Sequence, residues 1–308
     1  MCPARSRPTP ARRPLPVLAL SAVGVLVLGA CASGPEGSPD AAVPATGKVP
    51  ATSTGTSTAD GGVATTKLPV YWVGRANGGE RLFREFRDAS EAAAAVDPIA
   101  AAAELMTGAT PEDPDYRTLW SPVDRVGAST SPDGTITVDL PSEAFRPGLD
   151  RREARLALQQ LAHTVTATAG TAGLLPEGSE AEVVVLVDGR PNEEVFESVR
   201  LDTPLRPDER VEAPIWLDEP QQDARTEGSL TLSGRALDGV RGGRWTVAGP
   251  DGKRVSSGAA AVVPRSDGTA GFRTELELEP GDYVVTVVGR DAEGGTVRDD
   301  KDVEVRPG

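Results

Sequence analysis

From about residue 215 to residue 305 the sequence shows no helical periodicity, which confines the second half of the chain to strands and turns. Short runs at 229–235, 244–248, 254–262, 271–278, 283–290 and 296–305 are separated by Gly249-Pro250-Asp251-Gly252, Pro280-Gly281-Asp282 and Glu293-Gly294-Gly295. Six or seven short strands in about 90 residues predict an all-β antiparallel sandwich. The chain has only two cysteines, Cys2 and Cys31, so nothing downstream of residue 31 can form a disulfide. Whatever folds there folds on its apolar core alone.

Residues 68–205 read differently. Val70-Tyr71-Trp72-Val73 is a short β-rich run, and 81–87 carries Leu82, Phe83 and Phe86 in a second. Asp97-Pro98 predicts a helix start, with Asp as N-cap and Pro at the first helical position. Ile99, Ala102, Ala103 and Met106 share one face of that helix, and Gly108 ends it. The runs 123–130 and 135–140 flank Ser131-Pro132-Asp133-Gly134 and predict a hairpin with Ile136, Val138 and Leu140 turned inward. A second helix is marked by Asp150 as cap, Glu153 at the reciprocal capping-box position and Gly170 at its end. Its apolar stripe is Ala154, Leu158, Leu161, Ala162 and Val165. Residues 182–187 form a nearly continuous apolar run of the kind found in a buried central strand. The order ββαββαβ predicts an α+β domain, a mixed sheet with two helices on one face. The stretch 204–220, rich in proline and charge, reads as a connector.

At the other end, Arg5, Arg7, Arg12 and Arg13 precede an uncharged, mostly apolar segment from Leu15 to Ala30, the form of a secretory signal. Leu28-Gly29-Ala30-Cys31 closes it and resembles a bacterial lipobox. That resemblance implies cleavage before Cys31 and a covalent diacylglycerol and N-acyl lipid on its thiol and amine. Two or more acyl chains hold a membrane stably where one does not. Residues 32–66 are almost wholly Gly, Ser, Thr, Pro, Ala and Asp, too polar to bury a core, and predict a disordered tether. A flexible chain of that length spans about 30 Å. The expected division is therefore 1–30 signal peptide, 31–66 lipidated Cys and tether, 67–206 α+β domain and 207–308 β-sandwich.

The formal net charge of −14 disfavours phosphate backbones, so nucleic acid is excluded as a partner. It also disfavours anionic lipid, leaving the membrane to be held by the acyl chains. Catalytic constellations are thin. The single histidine, His163, falls on the side of the second helix away from Leu158 and Leu161, where a solvated residue is expected. There is no Gly-x-Ser-x-Gly elbow, no Ser-x-x-Lys and no phosphate loop. The acid clusters Glu112-Asp113-Asp115, Asp218-Glu219 and Asp299-Asp300-Asp302 lack the spacing of a Ca²⁺ loop and read as solvated loops. No catalytic residue, metal site or free cofactor is expected. Trp72 and Trp245 sit in apolar runs and read as core, while Trp120 and Trp216, in connecting segments, are the candidates for a contact surface.

Several of these stretches together resemble the sporulation and germination GerMN domain: Val70-Tyr71-Trp72, Glu104-Leu105-Met106-Thr107-Gly108, Thr135-Ile136-Thr137-Val138-Asp139-Leu140, Ala157-Leu158-Gln159-Gln160-Leu161 and the run from Val183 to Gly189. Met106 stands where the family usually has a second Leu, which leaves the packing intact. Leu230-Thr231-Leu232-Ser233-Gly234-Arg235-Ala236 and Pro280-Gly281-Asp282-Tyr283-Val284-Val285 resemble the immunoglobulin-like, Gmad2-type domain that often follows it in bacterial, notably actinobacterial, lipoproteins. The resemblance supplies no catalytic residues. It implies a non-enzymatic binding or scaffold module on the extracytoplasmic face of the cell membrane, acting in envelope assembly, signalling or germination-type physiology. Its implied partners are an envelope protein or a second copy of the chain. A cell-wall hydrolase, or an accessory protein binding peptidoglycan glycan, is the alternative.

Overall fold

The run around Val70–Val73 belongs to a long hairpin of β1 (Thr65–Ala76) and β2 (Gly79–Ser90), paired antiparallel from Thr65 opposite Ser90 to Ala76 opposite Gly79. The computed structural model describes residues 65–76, 79–176, 180–237, 239–264, 270–291 and 293–308. The signal segment, Leu28, Gly29, Ala30, Cys31 and the tether up to residue 64 lie outside the described residues. After the short α1 (Glu91–Val96), α2 (Pro98–Gly108) starts where Asp97-Pro98 predicts, the Asp97 carboxylate accepting from Ala100 N at 2.9 Å. Ile99, Ala102, Ala103 and Met106 are all buried. The expected hairpin follows as β3 (Gly127–Thr130) and β4 (Thr135–Leu140). Then comes α3 (Arg151–Thr171), whose Asp150–Glu153 capping box forms in full. β5 (Glu182–Val187) and the small pair β6 (Glu194–Val195) and β7 (Val199–Arg200) complete this half.

The single mixed sheet expected here is divided in two. β3, β4 and β5 form a three-stranded sheet, antiparallel then parallel, while β1 and β2 form a separate two-stranded one, joined outside it, among the described residues, only by single bridges from Val73 to Arg117 and from Leu82 to Glu212. The reason lies in α3. Gln160 Nε2 donates to Tyr71 O at 2.9 Å, Tyr71 N donates to Thr164 Oγ1 at 3.0 Å, and Thr168 Oγ1 donates to Pro69 O at 3.3 Å. Positions 160, 164 and 168 lie one above another on a helix, so a polar ridge occupies the backbone groups of β1 that another strand would need. All three side chains are buried. β5 correspondingly ends its sheet, with Val183, Val185 and Val187 buried and Val184 and Leu186 half-buried, rather than lying centrally between two covered faces.

The second half is all strand. β8 (Ile215–Glu219), β9 (Ala224–Glu227), β10 (Ser229–Ala236), β11 (Arg241–Ala248) and β12 (Arg254–Ala259) are followed by β13 (Val263–Pro264), β14 (Ala270–Glu277), β15 (Gly281–Arg290) and β16 (Thr296–Arg306). They make a four-stranded sheet, β13-β14-β10-β8, and a five-stranded one, β12-β11-β15-β16-β9. Pairing is antiparallel except between β9 and β16, which run parallel, a departure from the purely antiparallel expectation. Gly234 permits the closest approach: a Cβ there would lie 2.1 Å from Trp216 O and 2.4 Å from Phe272 Cζ. Among the described residues the chain is thus mostly β with three α-helices. Most buried apolar residues of both halves, from Val70 to Val305, form one continuous core within one compact unit, with a small separate cluster of Leu68, Ala89, Ala101 and Ala102.

Candidate functional site: the junction of the two halves

Of the stretch expected to be a connector, residues 204–211 stay exposed or half-buried, but Glu212 to Asp218 runs through the inside of the molecule. Ala213, Ile215, Trp216 and Leu217 are fully buried, and Ala213 N donates to Leu82 O at 2.8 Å. Proline and charge give the segment the composition of a loop, but its charges are spent on fixed partners. Three ionic clusters form along it.

In the first, His163 Nδ1 lies 2.8 Å from Glu212 Oε1, and His163 Nε2 faces Asp208 O at 3.2 Å. His163 is therefore not solvated. Residues 206–212 lie over the second side of α3, held by Gln159, which donates to Arg206 O and accepts from Asp208 N at 2.8 Å. Burial resists ionisation of Glu212, but the His163 hydrogen bond and the charges of His163, Arg235 and Arg84 hold its carboxyl below the usual range.

In the second, Arg84 Nη2 and Trp216 Nε1 both donate to Asp218 Oδ1, at 2.7 and 3.1 Å. The Arg84 and Arg235 guanidinium carbons lie 6.0 and 5.5 Å from the Trp216 ring centroid, within cation–π range.

The third joins the 111–117 loop to β16. Lys301 Nζ donates to Asp113, to Tyr116 OH at 2.9 Å and to Asp299 Oδ1 at 3.1 Å. Tyr116 OH donates to the same Asp299 oxygen at 2.6 Å, and Leu217 N donates to Asp299 Oδ2 at 2.7 Å. Burial pushes the Asp299 carboxyl and the Tyr116 hydroxyl above their ordinary ranges. Burial also pulls the Lys301 ammonium down, but Asp299 and Asp113 together carry it above its ordinary value.

Asp113, Asp218 and Asp299, read as parts of solvated loops, are thus buried structural acids. The missed signal is period two. Along β16, Val297, Asp299, Lys301, Val303 and Val305 occupy every second position and all turn inward, so Asp299 and Lys301 share the face of three valines. Arg84, Arg235 and Tyr116 carried no comparable signal.

The two tryptophans proposed as a contact surface are also interior. Trp120 packs against Phe145 and Phe196, with centroids 5.3 and 5.2 Å away, and donates from Nε1 to Ala157 O at 3.1 Å. Trp216 is fully buried between the two arginines. Their indole nitrogens find partners inside, which removes the reason for either ring to stay at the surface. Trp72 and Trp245 are core, as their apolar runs predict.

Beside the second cluster the junction opens into a groove of about 640 Å³, with Lys67, Arg84, Phe86, Val263, Phe272 and Arg273 among its lining residues. Among the described residues no group of three His, Cys, Asp or Glu is placed to hold a metal ion. No helix among them is long and apolar enough to cross a membrane.

Residues 69–193, from within β1 to the start of β6, match the Germane family, described as sporulation and spore germination. Several solved structures are similar over part of the chain. The tandem GerMN domains of the sporulation protein GerM from Bacillus subtilis align over 51% of this chain and 51% of that one, at 18% identity and a TM-score of 0.35. The first GerMN domain of the same protein aligns over 47% of this chain and 96% of that one, at 17% identity and a TM-score of 0.33. CopC from Methylosinus trichosporium OB3b aligns over 30% of this chain and 94% of that one, at 21% identity and a TM-score of 0.25. No curated protein matched the chain.

Proposed function

We propose that this chain is an extracytoplasmic lipoprotein, anchored to the cytoplasmic membrane by acyl chains on Cys31. It acts by binding rather than by turnover, in envelope assembly, signalling or germination-type physiology. The match of residues 69–193 to a sporulation and spore germination family supports the physiological setting. Leu28-Gly29-Ala30-Cys31 behind an arginine-flanked apolar run supports the anchor. The two C-terminal sheets, with their turn motifs, support reading 207–308 as an immunoglobulin-like module of the Gmad2 type.

The observation that carries the binding reading is the ionic seam. Asp113, Asp299, Lys301 and His163, the groups best suited to acid–base chemistry, are buried and committed to one another or to Glu212. Open grooves of about 640, 670 and 700 Å³ lie along the junction, the last lined by Asp113, Tyr116 and Asp299, each of a size that accepts a small ligand. A rigid body of this kind, on a tether, raises the local concentration of its binding surface at the membrane, which favours a weak or multivalent envelope-protein contact or self-association. No cofactor enters this reading. Intact mass of the membrane-extracted protein should give a mature chain beginning at an acylated Cys31. The purified protein should release no new products from peptidoglycan fragments. A mature chain without lipid mass overturns the anchor, and reproducible glycan or peptide cleavage overturns the binding reading.

A further inference from the structure

β12 ends its sheet with an open edge. Ala260 N donates to Gly243 O at 2.9 Å, which makes 243–260, 245–258 and 247–256 the hydrogen-bonded pairs of the β11–β12 ladder. Ser257 and Ala259 fall between those pairs, so their N–H and C=O groups point away from β11. Among the described residues no strand lies on that side and no hydrogen bond reaches those groups. The strand itself is held firmly in place. A Cβ at Gly258 would lie 2.5 Å from Trp245 Cζ2, so the buried indole packs directly on its backbone.

Sheet edges left open are normally blunted by charge, proline or a covering segment. Other edges of this molecule follow that rule. β13 is two residues long and contains Pro264, β9 carries Arg225 paired with Glu304, and β5 is bridged by Leu205 and Arg190. β12 does not. Its charges, Lys253 and Arg254, and its bulge sit at one end. Val255 to Val263 then runs for nine residues without a charge or a proline, in a chain of which 25% is charged. Along this run Ser257 and Ala259 are small and exposed, and Val255 is 56% exposed. A second strand can therefore approach without hindrance and be hydrogen-bonded on arrival.

We propose that β12 pairs with β12 of a second copy of the chain, antiparallel about a twofold axis at Ser257, joining the two five-stranded sheets into one. The strand is complementary to itself in this register. Ser257 meets Ser257, Val255 is covered by Ala259 of the second copy, and Arg254 and Lys253 fall opposite Ala260 and Ala261. Parallel pairing in register would instead set Arg254 against Arg254, which is repulsive. A contact of this isologous kind closes at two copies and leaves neither β12 edge open. The inference rests on the binding reading above and names its partner. Tethering of both copies to one membrane raises their local concentration and favours the contact.

The test uses the full chain. Oxidation of Ser257→Cys should give disulfide-linked dimer above the wild-type level, because directly bonded partners on an antiparallel ladder lie about 5.5 Å apart between Cα atoms, within reach of a disulfide. Arg225→Cys, on the strand at the opposite end of the same sheet, should not exceed that level. Ser257→Lys and Ser257→Glu should each lose the dimer in sedimentation of the solubilised protein while the melting temperature is kept, since the side chain is exposed. An equal mixture of the two should regain it, because opposite charges then meet on the axis. No crosslink above the wild-type level at 257, dimer in either charged variant alone, or a mixture that stays monomeric would overturn the proposal, the last by showing that position 257 does not face itself. A monomeric chain that leaves peptidoglycan fragments uncut would overturn the pairing and leave the binding reading standing. Cleavage by a chain that dimerises through β12 would do the reverse.

Discussion

His163 on α3 and Glu212 ahead of β8 meet at 2.8 Å, 49 residues apart in sequence and with both side chains almost free of solvent. Their contact fastens the GerMN-like half to the segment that begins the C-terminal sheets. His163→Ala should leave a buried carboxylate without its hydrogen-bond partner, with Arg235 at 3.5 Å and the charge of Arg84 remaining. The expected loss is about 3 kcal/mol, since stranding a buried charge costs more than its interaction is worth. Urea unfolding of the two proteins side by side measures it. A change within about 0.5 kcal/mol, the range for an exposed site, would refute the structural role of this pair.

Lys301 poses the same question with two acids. Lys301→Met leaves Asp113 and Asp299 buried without their cation and should destabilise by about 3–5 kcal/mol. Replacing the whole cluster, K301M with D113N and D299N, removes the charges together and should recover most of that loss. A triple variant as unstable as the single one would mean that packing, rather than stranded charge, sets the penalty.

The pH dependence follows from the two shifts of opposite sign. The Glu212 carboxyl, held below its ordinary 4.5, contributes stability that is present above that value and is lost as pH falls through the lower folded value. The Lys301 ammonium, held above its ordinary 10.5, contributes stability that is present below that value and is lost as pH rises through the higher folded one. Melting temperature followed against pH should therefore show a flatter acid limb in Glu212→Gln and a flatter alkaline limb in Lys301→Met. Variants whose limbs run parallel to the wild type on both sides would contradict the assignment.

Local rules located most of the elements in advance. Asp97-Pro98 and the Asp150–Glu153 box begin α2 and α3, and Ser131-Pro132-Asp133-Gly134 turns the β3–β4 hairpin. These signals act within a few residues, so the sequence displays them directly. The junction did not show itself, because its logic is long-range. Gln160, Thr164 and Thr168 look like the wet side of an amphipathic helix until β1 presents its unpaired backbone to them. Trp216 and Asp218 look like loop residues until Arg84, more than a hundred positions earlier, closes on them. Polar residues that serve as a neighbour's hydrogen-bond partners cannot be told from solvated ones without knowing the neighbour.

The last expectation concerns how far the halves depend on each other. A chain ending at Arg206 would lack Glu212, Asp218 and Lys301, and with them the partners of His163, Arg84 and Asp113. It would also uncover Leu82, now buried, and leave its carbonyl without Ala213 N. The apolar surface uncovered, at about 25 cal/mol per Å², together with the lost ionic and backbone partners, draws heavily on the roughly 5–15 kcal/mol that holds an ordinary domain. The fragment should therefore give no cooperative unfolding transition, and the described body of the whole chain should melt as one unit, with tryptophan fluorescence and far-ultraviolet circular dichroism changing together. Two separate transitions in the whole chain, or a fragment that unfolds cooperatively, would mean that the seam joins two independent domains instead of completing one.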